Sequence, residues 1–203
     1  MAQQEQLQAA RPLGFEIRDP ERFAKNMARL VEETGRAVSV YMQPSRNEHR
    51  DSLVQDELAQ VLKTLSQVQQ AWLSEPDRVI EAQTSLWQGY LDLWVSSVRR
   101  LMGDGGEPVI APDPRDTRFK DPAWSENQFF DFLKQAYLIT SQWAERMVDE
   151  TQGLDSHTRH KARFYVKQIV NAIAPSNWVF TNPELLRETF ASDGENLVRG
   201  MQL

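Results

Sequence analysis

Group transfer and hydrolysis need a nucleophile held beside a base, and the 203-residue chain offers few of either. It contains no cysteine, which removes a thiolate nucleophile, a disulfide framework, a zinc ribbon and an iron–sulfur cluster together. A serine nucleophile is usually announced by G-x-S-x-G or S-x-x-K, and neither pattern occurs. Of the three histidines, His49 lies in a polar stretch, while His157 and His160 stand three apart at a helix start with no carboxylate one turn on. An H-x-x-H pair without a third ligand reads as a solvated helix start. The cluster Gly103, Gly105, Gly106 lacks the Lys-Ser/Thr of a phosphate loop and follows no strand. Catalytic residues, cofactor and metal are accordingly all assigned as none.

What remains is recognition chemistry. Arg159, His160, Lys161, Arg163 and Lys167 occur with no acid between His157 and Val170. Arg159, Arg163 and Lys167 repeat every fourth residue and so form one ridge of a helix. Such a ridge is either a solvated face whose alkyl stems flank the core or a contact for an acidic surface. Upstream, Val79, Leu86, Trp87, Tyr90, Trp94, Val98 and Leu101 fall within one helical face. That stripe reads as core, with Trp87, Tyr90 and Trp94 as a contact for a partner or an apolar surface if no helix of the chain covers it. A net charge of −6, from 29 acids against 23 bases, argues against a nucleic-acid partner. No run of apolar residues is long enough to span a membrane, and the amino terminus has neither the basic start nor the apolar stretch of a secretory signal.

The elements that would position these residues are helices, since apolar residues recur at three and four. The first opens at Asp19-Pro20 and is stopped by Pro44; the second runs from about Ser52 to Leu73; the third restarts at Ser74-Glu75-Pro76 and ends near Gly103. Three Gly and four Pro between Gly103 and Trp124 predict an extended connection. Beyond it, Trp124, Ser125, Gln128 and Phe129 read as staple, cap, box and staple at a helix start. That helix stops at Gly153, another opens at Asp155 or Ser156, and a last short one begins at Thr181 or, with Pro183 in its first turn, at Asn182. The pattern GENLVRGMQL then breaks off inside an amphipathic turn, which suggests a chain cut from something longer.

The segments DTRFKDPAWSENQFFDFLKQAYLITSQW and ARFYVKQIVNAIAPSNWVFTNPELLRETFASDGENLVRGM resemble the amino-terminal region of class I polyhydroxyalkanoate synthases, densely over Asp113 to Met201 and more loosely before. The resemblance implies a parent acyltransferase that polymerises 3-hydroxyacyl-CoA into polyester with release of CoA. Its Cys, His and Asp would lie on a downstream α/β-hydrolase domain, so no catalytic residue carries over to this chain. It further implies that this region supports dimerisation, the stability and activity of its own catalytic domain, and attachment to cytoplasmic polyester granules and their associated proteins. An independent helical adaptor or scaffold is the alternative. The fold expected is all-α: residues 1–102 as three long amphipathic helices that either pack on the rest or project, 103–124 as an extended Gly/Pro-rich linker, and 125–203 as a second half of shorter helices.

Overall fold

The computed structural model describes residues 18–42, 48–103 and 107–202, with side chains at 18–36 and from 55 onward. Pro44, Gly105 and Gly106 lie outside the described residues. Among those residues there are eight α-helices, two 3₁₀ turns and no strand, so the all-α expectation holds. The helices are α1 (Pro20–Met42), α2 (Glu48–Leu73), α3 (Pro76–Leu101), α4 (Ala123–Glu126), α5 (Gln128–Asp149), α6 (Ser156–Ala172), α7 (Pro183–Ala191) and α8 (Glu195–Met201).

Contacts group α1 with α7 and α8 in one compact unit, and α2 to α6 in another spanning Arg46–Thr181. The division therefore does not fall at 103–124: the described residues of that segment lie inside the larger unit, where α3 packs along α5. A linker can join two packed helices as readily as it separates two domains, and its composition does not distinguish the cases.

In the smaller unit, Asp19 caps α1 by accepting a hydrogen bond from the Arg22 amide at 3.0 Å. Phe23 stacks on Phe190 with ring centres 6.0 Å apart, and buried Asn26 donates to the Asp193 carbonyl at 2.9 Å. The turn between α7 and α8 places Asp193 and Gly194 in left-handed conformations. The positive φ favours glycine at Gly194, where the atom closest to an added Cβ would be the movable tip of the Met27 side chain.

In the larger unit, α2, α3, α5 and α6 enclose a core of Val68, Trp72, Val148 and Ala162, with Val79, Met147 and Val166 against it. Trp72 Nε1 donates both to the Met147 carbonyl (2.8 Å) and to Thr151 Oγ1 (2.9 Å), so the indole buries without an unmet donor. A second apolar centre is aromatic: Trp124 meets Phe119 at 5.0 Å and Phe130 at 5.8 Å.

That centre corrects the expected helix start. Ser125 lies exposed within the four-residue α4, and Asn127 is the cap of α5, its Oδ1 accepting from the amides of Phe129 (3.0 Å) and Phe130 (3.2 Å). Asp121 opens α4 by accepting from the Ala123 amide at 2.9 Å, which consumes the turn that Ser125 would have capped. With the start moved two residues on, Gln128 is the exposed first residue of α5 and makes no capping box. Phe129 points to solvent, so Trp124 packs on Phe130 instead. At α7 the cap is Asn182, accepting from Glu184 (2.9 Å) and Leu185 (3.3 Å), with buried Pro183 first in the helix. Thr181 instead donates to the Pro175 carbonyl at 2.7 Å, and the preceding Phe180 is exposed.

Candidate interaction surface

α3 has two apolar faces, where the sequence reading merged them into one. The face toward α5 carries fully buried Leu93, half-buried Val79 and Leu86, and Gly89, whose missing side chain lets Ile139 approach. Tyr90 belongs with it, since its hydroxyl and that of Thr140 hydrogen-bond at 2.6 Å. The opposite face is Ile80, Thr84, Trp87, Leu91, Trp94, Val98 and Leu101, in steps of four and three. Trp87 is 60% exposed, Leu91 60% and Trp94 61%. The bland expectation that this stripe is core thus fails for Trp87, Trp94 and Leu101. Tyr90 bridges the faces, its ring 6.3 Å from that of Trp87 in an edge-on contact. Leu91 and Ile80 were missed by the sequence reading. The strict four-three spacing, tighter than a 100° bin, was the signal that could have found them.

The basic ridge on α6 is only partly free. Arg163 reaches back to Asp149 at the end of α5, with Nε and Nη2 donating to Oδ1 at 2.8 and 2.6 Å. Arg159 is half-buried and donates from Nη2 to the Thr151 carbonyl at 2.9 Å, meeting an acceptor beyond the last turn of α5. Lys167 is exposed and without a partner among the described residues. Acids four residues along the same helix were absent, but an acid on the neighbouring helix was not legible from spacing.

Two polar nodes that sequence reasoning missed fix the 107–122 segment to α5. In the first, Asp131, 2% exposed, accepts from Arg100 (2.5 Å), Lys134 (3.0 Å) and Gln135 (2.7 Å). Lys134 also donates to the Trp124 carbonyl at 2.7 Å, and Gln135 Oε1 accepts from the Ile110 amide at 3.2 Å. Three polar residues on the inward face of an amphipathic helix were the available signal. In the second, Arg118 donates to both oxygens of Asp116 (2.9 and 2.8 Å), to the Tyr137 hydroxyl (2.9 Å) and to Asn171 Oδ1 (3.2 Å). The Arg118 side chain holds the Asp116 carboxyl below its ordinary range, and Asp116 and Tyr137 raise the guanidinium further. Asp155, which caps α6, is lowered by the Thr158 hydroxyl and amide that it accepts from.

The two nodes are structural clamps, the Asp131 and Asp116 carboxylates each held by cations and amides. Among the described residues no group of three or more His, Asp or Glu could hold a metal ion. His157 and His160 are exposed, and among the described residues no helix is long and apolar enough to cross a membrane. Among the described residues of this helical module, the outward apolar face of α3 and the exposed part of α6 face solvent.

Comparison with known proteins gives that module its family. Residues 115–203 match the family described as "Poly-beta-hydroxybutyrate polymerase (PhaC) N-terminus". The chain is 47% identical over 187 residues to the poly(3-hydroxyalkanoate) polymerase subunit PhaC of Rhizobium meliloti, which covers 92% of this chain and 31% of that protein. The corresponding subunit of Rhizobium etli is 46% identical over 92% of the chain and 30% of its own length. The poly(3-hydroxyalkanoate) polymerase of Methylorubrum extorquens is 40% identical over 91% of the chain and 32% of its length. The chain belongs to the PhaC polymerase family and corresponds to its amino-terminal region, spanning about a third of the length of these relatives. No solved structure matches it.

Proposed function

We propose that this chain is a non-catalytic module of a polyester-forming acyltransferase, and that it holds two copies of the polymerase together through the outward face of α3. Through that association it would support the activity of a catalytic domain and its retention at the polyester granule. The observation that carries the reading is the exposed stripe from Ile80 to Leu101, on a helix whose other face is already anchored to α5. A four-three repeat is the spacing with which one helix meets another like it, knob into hole. The flanking positions Glu81, Gln83, Gln88, Tyr90, Val95 and Ser97 include a single charge, so two copies can approach without like-charge repulsion.

The absence of cysteine makes this directly testable. Leu91 lies near the middle of the stripe, where two copies bring the same residue together in either orientation. Under mild oxidation, Leu91→Cys is expected to form a disulfide-linked dimer, whereas Lys167→Cys on α6 is expected to stay monomeric. Equal cross-linking of both variants, or of neither, contradicts the reading. If Leu91→Cys remains monomeric but the unmodified chain binds polyester particles through Trp87 and Trp94, the stripe belongs to the granule surface instead. Whichever surface it meets, the chain alone is expected to release no CoA from 3-hydroxybutyryl-CoA above a heat-denatured control.

A further inference from the structure

The smaller unit carries a concentration of positive charge at odds with the chain as a whole. Between α1 and α8 lies a cleft of about 370 Å³ lined by Arg22, Lys25, Arg29 and Arg199, with Glu195 as its one acidic side chain. Four cations face one carboxylate there, in a protein whose net charge is −6. Arg22, Lys25 and Arg29 share a face of α1 at steps of three and four, and the fold brings Arg199 to them from the far end of the sequence.

The internal partners do not use up this charge. Arg22 pairs with Glu195, and Lys25 pairs with Glu21, which lies outside the cleft lining, at 2.7 Å. Arg29 and Arg199 have no partner among the described residues. Asn26 has its amide committed to the Asp193 carbonyl, so the wall between the cations is fixed. Like charges gathered on one cleft repel one another, and an anion between them removes that cost. Guanidinium groups match the paired oxygens of a phosphate with two parallel hydrogen bonds, and an ammonium adds a point charge beside them.

We propose that this cleft binds a phosphate group, carried either by a soluble diphosphate or phosphomonoester or by a lipid headgroup. Arg29 and Arg199 supply the free forks, and Arg22 and Lys25 exchange their carboxylate partners for the anion. Glu195 limits affinity by competing for Arg22.

Calorimetric titration of the 203-residue chain with inorganic diphosphate, and co-sedimentation with phosphatidylcholine vesicles with and without phosphatidic acid, test the proposal. Saturable binding in at least one arm is expected, weakening as sodium chloride is added. Diphosphate binding assigns the site to a soluble phosphate, and binding to the phosphatidic acid vesicles alone assigns it to a headgroup. The double replacement Arg29→Gln, Arg199→Gln is expected to weaken binding by about tenfold or more with an unchanged thermal midpoint. Glu195→Gln is expected to tighten it. The proposal is overturned if neither probe binds above plain vesicles, if the double variant binds like wild type, or if Lys167→Gln, which removes a cation elsewhere, weakens binding as much.

Discussion

Trp124 has 1% of its surface exposed and joins the 107–122 segment to α5 through Phe119 and Phe130. Truncating a buried aromatic leaves a cavity that its neighbours fill only partly, so Trp124→Ala is expected to cost about 3 to 5 kcal/mol. In a chain of this size that lowers the thermal midpoint by roughly 10 °C, and a midpoint unchanged within error would contradict the packing described. Asp131 is the polar counterpart. Asp131→Ala leaves Arg100 and Lys134 without their carboxylate in a buried site, with an expected loss of about 3 to 5 kcal/mol in denaturant unfolding. The Asp116 carboxyl is held below its unfolded value by Arg118. Its contribution is therefore complete above the ordinary carboxylate range and is lost as pH falls through the lowered value. Below about pH 4, stability of the wild type should fall more steeply than that of Asp116→Asn, as followed by circular dichroism; parallel curves would show that Asp116 is not the group responsible.

At the scale of elements, α6 shows how charges on one helix are apportioned by its neighbour. Lys167→Gln should leave melting unchanged, because a solvated, unpaired charge contributes little. Arg159→Gln should lower it measurably, because the guanidinium loses the Thr151 carbonyl beyond the end of α5; equal midpoints for the two variants would count against that assignment. Helix existence was legible in the sequence wherever proline and periodicity agreed: Asp19-Pro20, Glu75-Pro76 and Asn182-Pro183 each mark an observed start. The start of α5 was misread by two residues because Ser125 and Asn127 are both good caps, and what selects between them is the intervening turn opened by Asp121. Leu93 and Leu91 illustrate the other limit. Both are leucines on one amphipathic helix, yet Leu93 is sealed against α5 and Leu91 faces solvent. Which apolar stripe finds a neighbour is decided by helices distant in sequence.

For the whole molecule, the acids of both polar clamps are paired with cations, and the outward face of α3 is left exposed. The PhaC relatives extend about three times as far as this chain, and its proposed part in such a protein is to bring two copies together. The amino-terminal family signal was legible in the sequence because it rests on local motifs around Trp124, Pro175 and Pro183. The exposure of the outward face of α3 was not, because it depends on the packing of the other face. Sedimentation equilibrium of the chain across a concentration series tests the central claim most directly, beside the double replacement Trp87→Ala, Trp94→Ala. The wild type is expected to approach twice the monomer mass as concentration rises, and the variant to remain monomeric with an unchanged thermal midpoint, since both side chains are exposed. A wild type that stays monomeric throughout, or a variant that dimerises equally well, would contradict the account.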